Sequence, residues 1–266
     1  MGEHIREDVL VSVVMPAYNA EKTIAQSIQS VLCQTYKKLE LIVVDDASTD
    51  RTLQIAIAYA KQDPRIRIIE NVGNLGVSCS RNHGVEASLG SLIAFLDSDD
   101  MWQSGKLEKQ YKALQKAPAC SICFTGSAFI DENDHFYQYT LPVPKRIGYE
   151  ELLRQNLISC SSVLAKKETL LLHPMISDPM IHEDYATWLK ILKEEPYAIG
   201  IDEPLLIYRI GKHSKSGNKL RAAKMQWNTY KVVGIKRLDS IRYFTAYAWR
   251  NLQKYARIRR GSDRSD

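Results

Sequence analysis

The sequence lacks several features that would place a protein in a large and easily recognised class. No apolar run in its 266 residues approaches the roughly 20 residues of a membrane-spanning helix, because the longest, such as residues 10–15, have strand length. Its first residues, MGEHIREDV, contain no apolar segment of the kind found in secretory signals. These absences predict a cytoplasmic protein without a transmembrane helix.

Cysteine is scarce, and its number and spacing do not indicate disulfide bonds. The five cysteines are an odd number with scattered spacing, which fits a reducing compartment. Cys120 and Cys123 form a CxxC pair, but no second pair or histidine follows at zinc-finger spacing. The surrounding ACSICFT is typical of a buried strand, so we interpret these cysteines as packing residues.

Two common phosphate-binding motifs are also missing. The sequence contains no GxxxxGK[ST], and the glycines of NVGNLG (71–76) do not follow the GxGxxG pattern. We therefore expect neither P-loop nor Rossmann dinucleotide chemistry, and we interpret these glycines as turn residues.

The excess of positive over negative charge lies at the end of the chain. The formal net charge is +5, but residues 231–266 carry ten Lys and Arg against three Asp, which leaves −2 for residues 1–230. A basic patch on the main body is therefore not expected, and we predict no nucleic-acid partner.

The first hundred residues alternate between strand and helix patterns. Four apolar, β-branched runs of strand length occur at residues 10–15, 39–44, 66–70 and 92–96. Between these runs apolar residues recur at helical spacing, as do Ile24, Ile28, Val31 and Leu32. This rhythm implies right-handed crossovers and predicts an α/β fold with a doubly wound, mostly parallel sheet.

Polar residues follow the ends of three of these strands. Residues 16–19 follow the first strand, residues 45–46 end the second, and the acidic residues 97–100 follow the fourth. In doubly wound sheets ligands bind beyond the carboxyl ends of the strands, so we expect one shared crevice. The segment NVGNLGVSCSRN after the third strand would place Gly76 and Arg81 at its rim.

The stretch LIAFLDSDDMW (92–102) places three carboxylates directly after an apolar run that is typical of a buried strand. Asp97, Asp99 and Asp100 directly follow an apolar run, and the nearest fixed cation in sequence is Lys106. Because an uncompensated carboxylate at low dielectric takes up a proton, we expect a neutralising partner. Mg²⁺ and Mn²⁺ bind few carboxylates together with substrate phosphates and are the first candidates. The weaker alternative is a solvated loop whose Asp side chains cap helices.

Two long segments resemble the family 2 glycosyltransferases of the GT-A fold. They are VSVVMPAYNAEKTIAQSIQSVLCQTYKKLELIVVDDASTDRT and NLGVSCSRNHGVEASLGSLIAFLDSDDMW, and the resemblance resumes at HEDYATWL and PLLIYR. Within the family the sequence is most similar to bacterial enzymes that build capsule, O-antigen or teichuronic acid. The resemblance implies a catalytic domain over residues 1–215, in which residues 10–102 form a Rossmann-like half that binds the nucleotide sugar and residues 103–215 bind the acceptor. Residues 216–266 would be a basic, amphipathic helical extension.

The resemblance also implies roles for the residues of the crevice. Asp46 would accept the uracil imide proton. The DxD motif Asp97-Ser98-Asp99 would bind the donor and an Mn²⁺ or Mg²⁺ ion, with Asp99 on the metal and Asp97 on the ribose or the metal, while Asp100 would assist. Arg81 would contact phosphate, or pair with Asp46 or Asp99. The donor-binding residues implied are Pro16, Ala17, Tyr18, Asn19, Asp46, Gly76, Arg81, Asp97, Ser98 and Asp99.

The motif HEDYATW would supply the residues that act on the acceptor. Asp184 would be the catalytic base, Glu183 would lie beside it, and Trp188 would wall the acceptor site. A carboxylate can deprotonate a hydroxyl as it attacks, and a single displacement would invert the anomeric centre of a UDP-sugar. His213, in the later YRIGKHSKS, is a candidate contact of the diphosphate.

The basic end of the chain has a helical pattern that two structures could explain. Between residues 238 and 258 apolar side chains recur every three or four residues, and Lys and Arg flank them. The helix would either lie on an anionic membrane surface or pack on the catalytic domain. We favour the membrane because the acceptor would be a glycan or a lipid-linked oligosaccharide.

Two rival functions deserve comparison with glycosyl transfer. A sugar-nucleotide pyrophosphorylase would need a Gly-rich basic loop after the first strand, where PAYN supplies no Gly, Lys or Arg. A non-enzymatic module that binds nucleic acid or membrane through its basic end would leave the acidic crevice unexplained. The donor sugar, the acceptor and the oligomeric state do not follow from the sequence.

Overall fold

A single ten-stranded sheet organises the molecule. The computed structural model describes residues 9–211 and 219–262, with side chains over 9–211 and 220–250. Eight strands form the continuous sheet order β3-β2-β1-β4-β9-β6-β10-β5, with β7 beside β6 and β8 beside β10. The strands are β1 (Val11–Ala17), β2 (Leu39–Asp45), β3 (Ile66–Glu70), β4 (Leu92–Phe95), β5 (Met101–Trp102), β6 (Ile122–Ile130), β7 (Phe136–Leu141), β8 (Arg146–Ile147), β9 (Leu164–Lys166) and β10 (Ala198–Arg209).

The first half of the sheet confirms the predicted doubly wound arrangement. Strands β1 to β4 pair in parallel, joined by α1 (Ile24–Leu32), α2 (Thr52–Ala60) and α3 (Val77–Ala87). Successive residues of β1 point to opposite faces, as the pleat requires: Val13 packs with α1 and α2, and Val14 packs with α3. Helices therefore cover both faces of the sheet.

The second half of the sheet is mixed, and the strand pattern of the first hundred residues did not predict its directions. Strand β9 runs antiparallel between β4 and β6, whereas β10 is parallel to β6. The reason lies in a 3₁₀ turn at Cys160–Ser162, where the Ser161 hydroxyl accepts a hydrogen bond from the Asp97 amide at 3.1 Å. The chain thus enters β9 from the carboxyl end of β4 and runs back along it.

Two apolar runs near the end of this half of the sheet are joined in one element. The apolar runs YAIGI (197–201) and LLIYRI (205–210), each of strand length, form one strand, β10, with register shifts around Pro204. The helices of this half are α4 (Lys106–Gln115), α5 (Tyr149–Arg154), α6 (Lys167–Leu172) and α7 (Glu183–Glu194).

Two helices at the end of the described chain pack on this core. In α8 (Lys219–Val232) Met225 and Tyr230 are buried, and the Tyr230 hydroxyl donates a hydrogen bond to the Leu153 carbonyl at 2.7 Å. In α9 (Arg237–Ser262) Ser240 and Tyr243 are buried, and Phe244 packs against the same core. Packing on the catalytic domain, the alternative to the membrane, is therefore observed for this face of α9.

The outer face of α9 is also apolar. Leu238, Ile241 and Trp249 are 82%, 49% and 66% exposed, so the single stripe expected from the sequence is divided between two opposite faces of the helix. Leu252, Tyr255 and Ala256 of the predicted stripe lie outside the described side chains. Across residues 9–211 and 219–262, no helix has both the length and the hydropathy needed to cross a bilayer.

Candidate active site

The carboxyl ends of β1, β2 and β4 meet at one crevice, as the strand pattern predicted. Ala17 is paired with Asp45, and the Asp46 amide donates a hydrogen bond to the Ala17 carbonyl at 2.8 Å. On the other side of β1, the Leu96 amide donates to the Val14 carbonyl at 3.1 Å. These bonds bring the acidic residues after β2 and β4 to the two sides of the end of β1.

Only half of the PAYN motif offers side chains to this crevice. Pro16 and Ala17 are buried within β1, which corrects the expectation that their side chains line a nucleotide. Tyr18 is 50% exposed, and Asn19 adopts a left-handed backbone with φ of 50°. The Asn19 side-chain oxygen accepts a hydrogen bond from the Thr49 amide at 2.8 Å, which ties this turn to the loop after β2.

The Asp46 carboxylate holds the loop that precedes α3. It is 4% exposed and accepts hydrogen bonds from the Asn71 side chain at 2.8 Å and from the amides of Leu75 and Gly76 at 2.9 and 2.8 Å. Gly76 has φ of +87°, a left-handed conformation in which a side chain would be strained. The local sequence pattern gave no sign of this anchoring role.

The acidic turn after β4 contains three carboxylates in different surroundings. Asp99 is exposed at the mouth of the crevice, yet burial among the surrounding protein atoms, followed by repulsion from Asp97, raises its pKa to about 6. Asp100 is 1% exposed, and its burial, followed by repulsion from the Asp99 carboxylate, raises the pKa of its carboxyl. Ser98 is partly exposed between them. A crowded, partly desolvated turn of this kind favours a cation.

A buried arginine supplies part of the missing positive charge. The Arg81 guanidinium, 5% exposed, lies 2.6 Å from the Asp97 carboxylate and 3.3 Å from that of Glu183. It pairs with neither Asp46 nor Asp99, which corrects both pairings considered from the sequence. Lys106, the nearest cation in sequence, is instead buried over the Trp102 ring and donates to Gln110. Arg81 therefore joins the acidic turn to the start of α7.

The start of α7 places Asp184 close to this arginine. Burial, followed by the adjacent Glu183, raises the pKa of the Asp184 carboxyl, while Arg81 and then His182 lower it. The His182 amide donates to the Thr229 hydroxyl at 2.9 Å, which fixes the start of the helix against α8. A carboxyl with a raised pKa is a stronger base once it is ionised, as proton abstraction requires.

Two acceptor-site expectations in α7 need correction. Glu183 is 7% exposed and paired with Arg81, so its carboxylate is not presented to solvent. Trp188 is fully buried and packs against Phe95 with ring centroids 6.3 Å apart. Trp188 lies one helical turn after Asp184, but its side chain points into the core. It therefore cannot form a wall of an open acceptor site.

Arg209 was not identified from the sequence, where it ends an apolar strand pattern. Its guanidinium is buried at the end of β10 and donates a hydrogen bond to the Asp99 carbonyl at 3.0 Å. An arginine inside LLIYRI was the only local signal. His213, the candidate diphosphate contact, lies outside the described residues.

Comparison with known proteins identifies related sequences over most of the chain. The model of the family described as glycosyl transferase family 2 matches residues 12–166. The putative teichuronic acid biosynthesis glycosyltransferase TuaG of Bacillus subtilis (strain 168) is 37% identical over 84% of this chain and 88% of its own length. The Escherichia coli UDP-Glc:alpha-D-GlcNAc-diphosphoundecaprenol beta-1,3-glucosyltransferase WfgD is 36% identical over 94% of this chain and 96% of its own length.

Solved structures share the fold at lower sequence identity. Residues 1–349 of S. aureus TarS, in complex with UDP-GlcNAc, superpose with a TM-score of 0.70 at 17% identity, covering 88% of this chain and 70% of that one. The mannosyltransferase PcManGT from Pyrobaculum calidifontis, in complex with GDP-Man and Mn²⁺, gives 0.67 at 20% identity over 89% and 68% of the two chains. At these identities the likeness shows the fold alone.

The role of Arg81 predicts the effect of its replacement on stability. We expect Arg81→Met to lower the free energy of unfolding by about 3 kcal/mol, because it leaves the buried Glu183 carboxylate and the partly buried Asp97 carboxylate without their counter-ion. Urea denaturation measures this loss. Arg65→Met is the matched control, since Arg65 pairs with Asp63 nearer the surface and its loss should cost about 1 kcal/mol or less. Equal losses in the two variants would contradict the role assigned to Arg81.

Proposed function

We propose that this chain, which belongs to glycosyl transferase family 2 and is a glycosyltransferase of the GT-A fold, uses a UDP-sugar as its donor. It would transfer the sugar to a lipid-linked or glycan acceptor with inversion of the anomeric centre. Bacterial surface polysaccharide synthesis would be the setting: the name of TuaG assigns that relative to teichuronic acid biosynthesis, and the name of WfgD gives that relative a GlcNAc-diphosphoundecaprenol acceptor. Membership of this family favours transfer over the two rivals, pyrophosphorolysis and a non-enzymatic binding module. The observation that carries the proposal is the Arg81 bridge, which holds the Asp97 turn and the start of α7 together.

The donor would lie across the carboxyl ends of β1, β2 and β4. The half-exposed Tyr18 ring and Asn19 stand at one side of this crevice, and Asp46 with the loop ending at Gly76 stands at another. Residues 10–102 would thus bind the nucleotide sugar. The UDP donor is supported by the name of WfgD and by the UDP-GlcNAc bound in TarS, each for its own protein.

The residues of the acidic turn fit a divalent cation that is shared with the substrate. Over the described residues no group of three or more His, Cys, Asp or Glu forms a complete metal site. Asp99 is exposed at the crevice and has no Lys, Arg or His nitrogen within 4.0 Å among these residues, and one Asp97 oxygen is bound by Arg81. Two carboxylates completed by diphosphate oxygens suit Mn²⁺ or Mg²⁺. When bound, the ion would stabilise the charge that develops on the departing diphosphate.

Asp184 would act as the catalytic base. Its carboxylate takes the proton of the acceptor hydroxyl while that oxygen bonds to the anomeric carbon. The bond between this carbon and the diphosphate oxygen breaks on the opposite face, and UDP leaves with the electron pair. An α-linked donor would give a β-linked product. Residues 103–215 would bind the acceptor.

The base assignment is tested by Asp184→Asn. We expect this variant to bind UDP normally but to lose transfer by about 10² to 10⁴-fold, because only the proton acceptor is removed. UDP release with a GlcNAc-diphosphate-lipid acceptor measures the rate, and calorimetry measures UDP binding. Glu194→Gln, at the exposed end of the same helix, is the control and should retain full activity. Near-normal turnover by Asp184→Asn would remove Asp184 from the mechanism.

The outer face of α9 would hold the enzyme on the cytoplasmic side of an anionic membrane. Leu238, Ile241 and Trp249 are exposed on this face, and the exposed cations Arg242 and Arg250 flank them. Apolar side chains of such a helix enter the membrane interface, and each nearby cation adds on the order of 1 kcal/mol to the free energy of membrane binding. Residues 216–266 would then be an extension with one face on the core and the other on lipid, close to a lipid-linked acceptor.

Replacing the outer apolar residues tests this placement without disturbing the inner face. We expect the triple variant Leu238→Ser, Ile241→Ser and Trp249→Ser to lose binding to phosphatidylglycerol vesicles by about tenfold or more in a sedimentation assay. The matched control carries Leu171→Ser and Leu172→Ser, which are 49% and 77% exposed on α6. A wild-type protein that does not sediment with these vesicles at low salt, or a triple variant that binds them equally well, would contradict the membrane role.

A further inference from the structure

Arg209 lies where the acidic turn, the end of β10, α1 and the β6–β7 hairpin meet. Its side chain is 7% exposed, although it stands at the end of a strand and carries a full positive charge. Burial of this kind requires that the guanidinium be hydrogen-bonded on several sides. A different element of the fold accepts these hydrogen bonds on each side of the guanidinium.

Two of its hydrogen bonds hold the acidic turn. The Arg209 side-chain Nε donates to the Asp99 carbonyl at 3.0 Å, and the Arg209 amide donates to the Asp100 carboxylate at 2.9 Å. These bonds fix the backbone of Asp99 and the side chain of Asp100. Neither uses the Asp99 carboxylate, which is exposed at the crevice.

The other nitrogens of the guanidinium are held from the opposite side. Nη1 donates to the Asp134 carboxylate at 2.6 Å and to the Asp131 carbonyl at 3.1 Å, and Nη2 donates to the Gln26 side chain at 2.8 Å. Gln26 in turn donates to Asp134 at 3.0 Å. Four of the five guanidinium donors are thus directed, so the planar group has little freedom to turn.

The three carboxylates of the turn repel one another, and hydrogen bonds to the backbone and to Asp100 hold the turn in which Asp99 is exposed. Arg81 holds the turn at Asp97, and Arg209 holds it at Asp99 and Asp100. We propose that Arg209 is a positioning residue which, through these bonds, directs the Asp99 carboxylate into the crevice where the metal and the diphosphate would bind. This inference rests on the proposed function, since it assigns Asp99 to the metal.

Arg209→Lys and Asp134→Gly test this role in two independent ways. Lysine keeps the charge but cannot reach four acceptors in different directions. Asp134→Gly removes the group that orients Arg209, and glycine tolerates the φ of 67° found at Asp134, which favours normal folding. Glu203→Ala is the matched control, because Glu203 is 48% exposed and pairs with Lys109, much as Asp134, 49% exposed, pairs with Arg209.

Calorimetry with UDP, in the presence and absence of Mn²⁺, separates positioning from a general structural effect. We expect Arg209→Lys to weaken Mn²⁺-dependent UDP binding by about tenfold and Asp134→Gly by about threefold, with metal-free UDP binding unchanged. Glu203→Ala should match the wild type. Wild-type affinities in both variants, or an equal loss with and without Mn²⁺, would overturn the proposal.

Hydrogen exchange of the ligand-free protein supplies a readout that does not depend on the metal. We expect faster exchange at residues 97–102 in Asp134→Gly than in the wild type or in Glu203→Ala. Unchanged exchange there would overturn the positioning role of Arg209 while leaving the proposed function intact. If wild-type UDP binding does not depend on Mn²⁺, the metal assignment of Asp99 fails, and the role of Arg209 toward the metal fails with it.

Discussion

The buried ion pairs of Arg81 hold together the two acidic segments on which the site depends. Asp97 follows β4 and Glu183 begins α7, and without a cation between them their charges would drive these segments apart. The bond to Asp97, at 2.6 Å, is a short charge-assisted hydrogen bond, and such bonds are directional, so it sets position as well as compensating charge. The arginine thereby brings the turn proposed to bind the donor close to Asp184, the proposed base.

The mixed half of the sheet supplies further hydrogen bonds that hold the acidic turn in place. Because β9 runs antiparallel to β4, the 160–162 turn comes to the carboxyl end of β4, and Ser161 accepts the Asp97 amide. Because β10 is parallel to β6, its last residue, Arg209, reaches the other end of the same acidic turn. The crevice thus lies at the ends of parallel strands, and the residues that hold its acidic turn, Ser161 and Arg209, belong to the mixed half of the sheet.

Local pattern predicted the elements well, and non-local contacts account for most of what it missed. The four parallel strands β1 to β4, the helices between them and the crevice followed from apolar runs and the polar residues after them, whereas the short strands β5, β7, β8 and β9 were not predicted. The partners of Arg81 and Arg209 are up to 102 and 183 residues away in sequence, so spacing carried no information about them. Helical periodicity located Trp188 on α7 but not the direction of its side chain. In α9 both faces are apolar, and a period alone does not tell which one meets the core.

The proposed function requires that this crevice bind a UDP-sugar with a divalent metal and transfer its sugar. The most direct measurement is UDP release by the wild-type protein with a panel of UDP- and GDP-sugars and a GlcNAc-diphosphate-lipid acceptor, with Mn²⁺ or with EDTA. The proposed function predicts acceptor-dependent UDP release from one or a few UDP-sugars, which is lost in EDTA and restored by Mn²⁺ or Mg²⁺. Release that is unaffected by EDTA, or turnover confined to GDP-sugars, would contradict it.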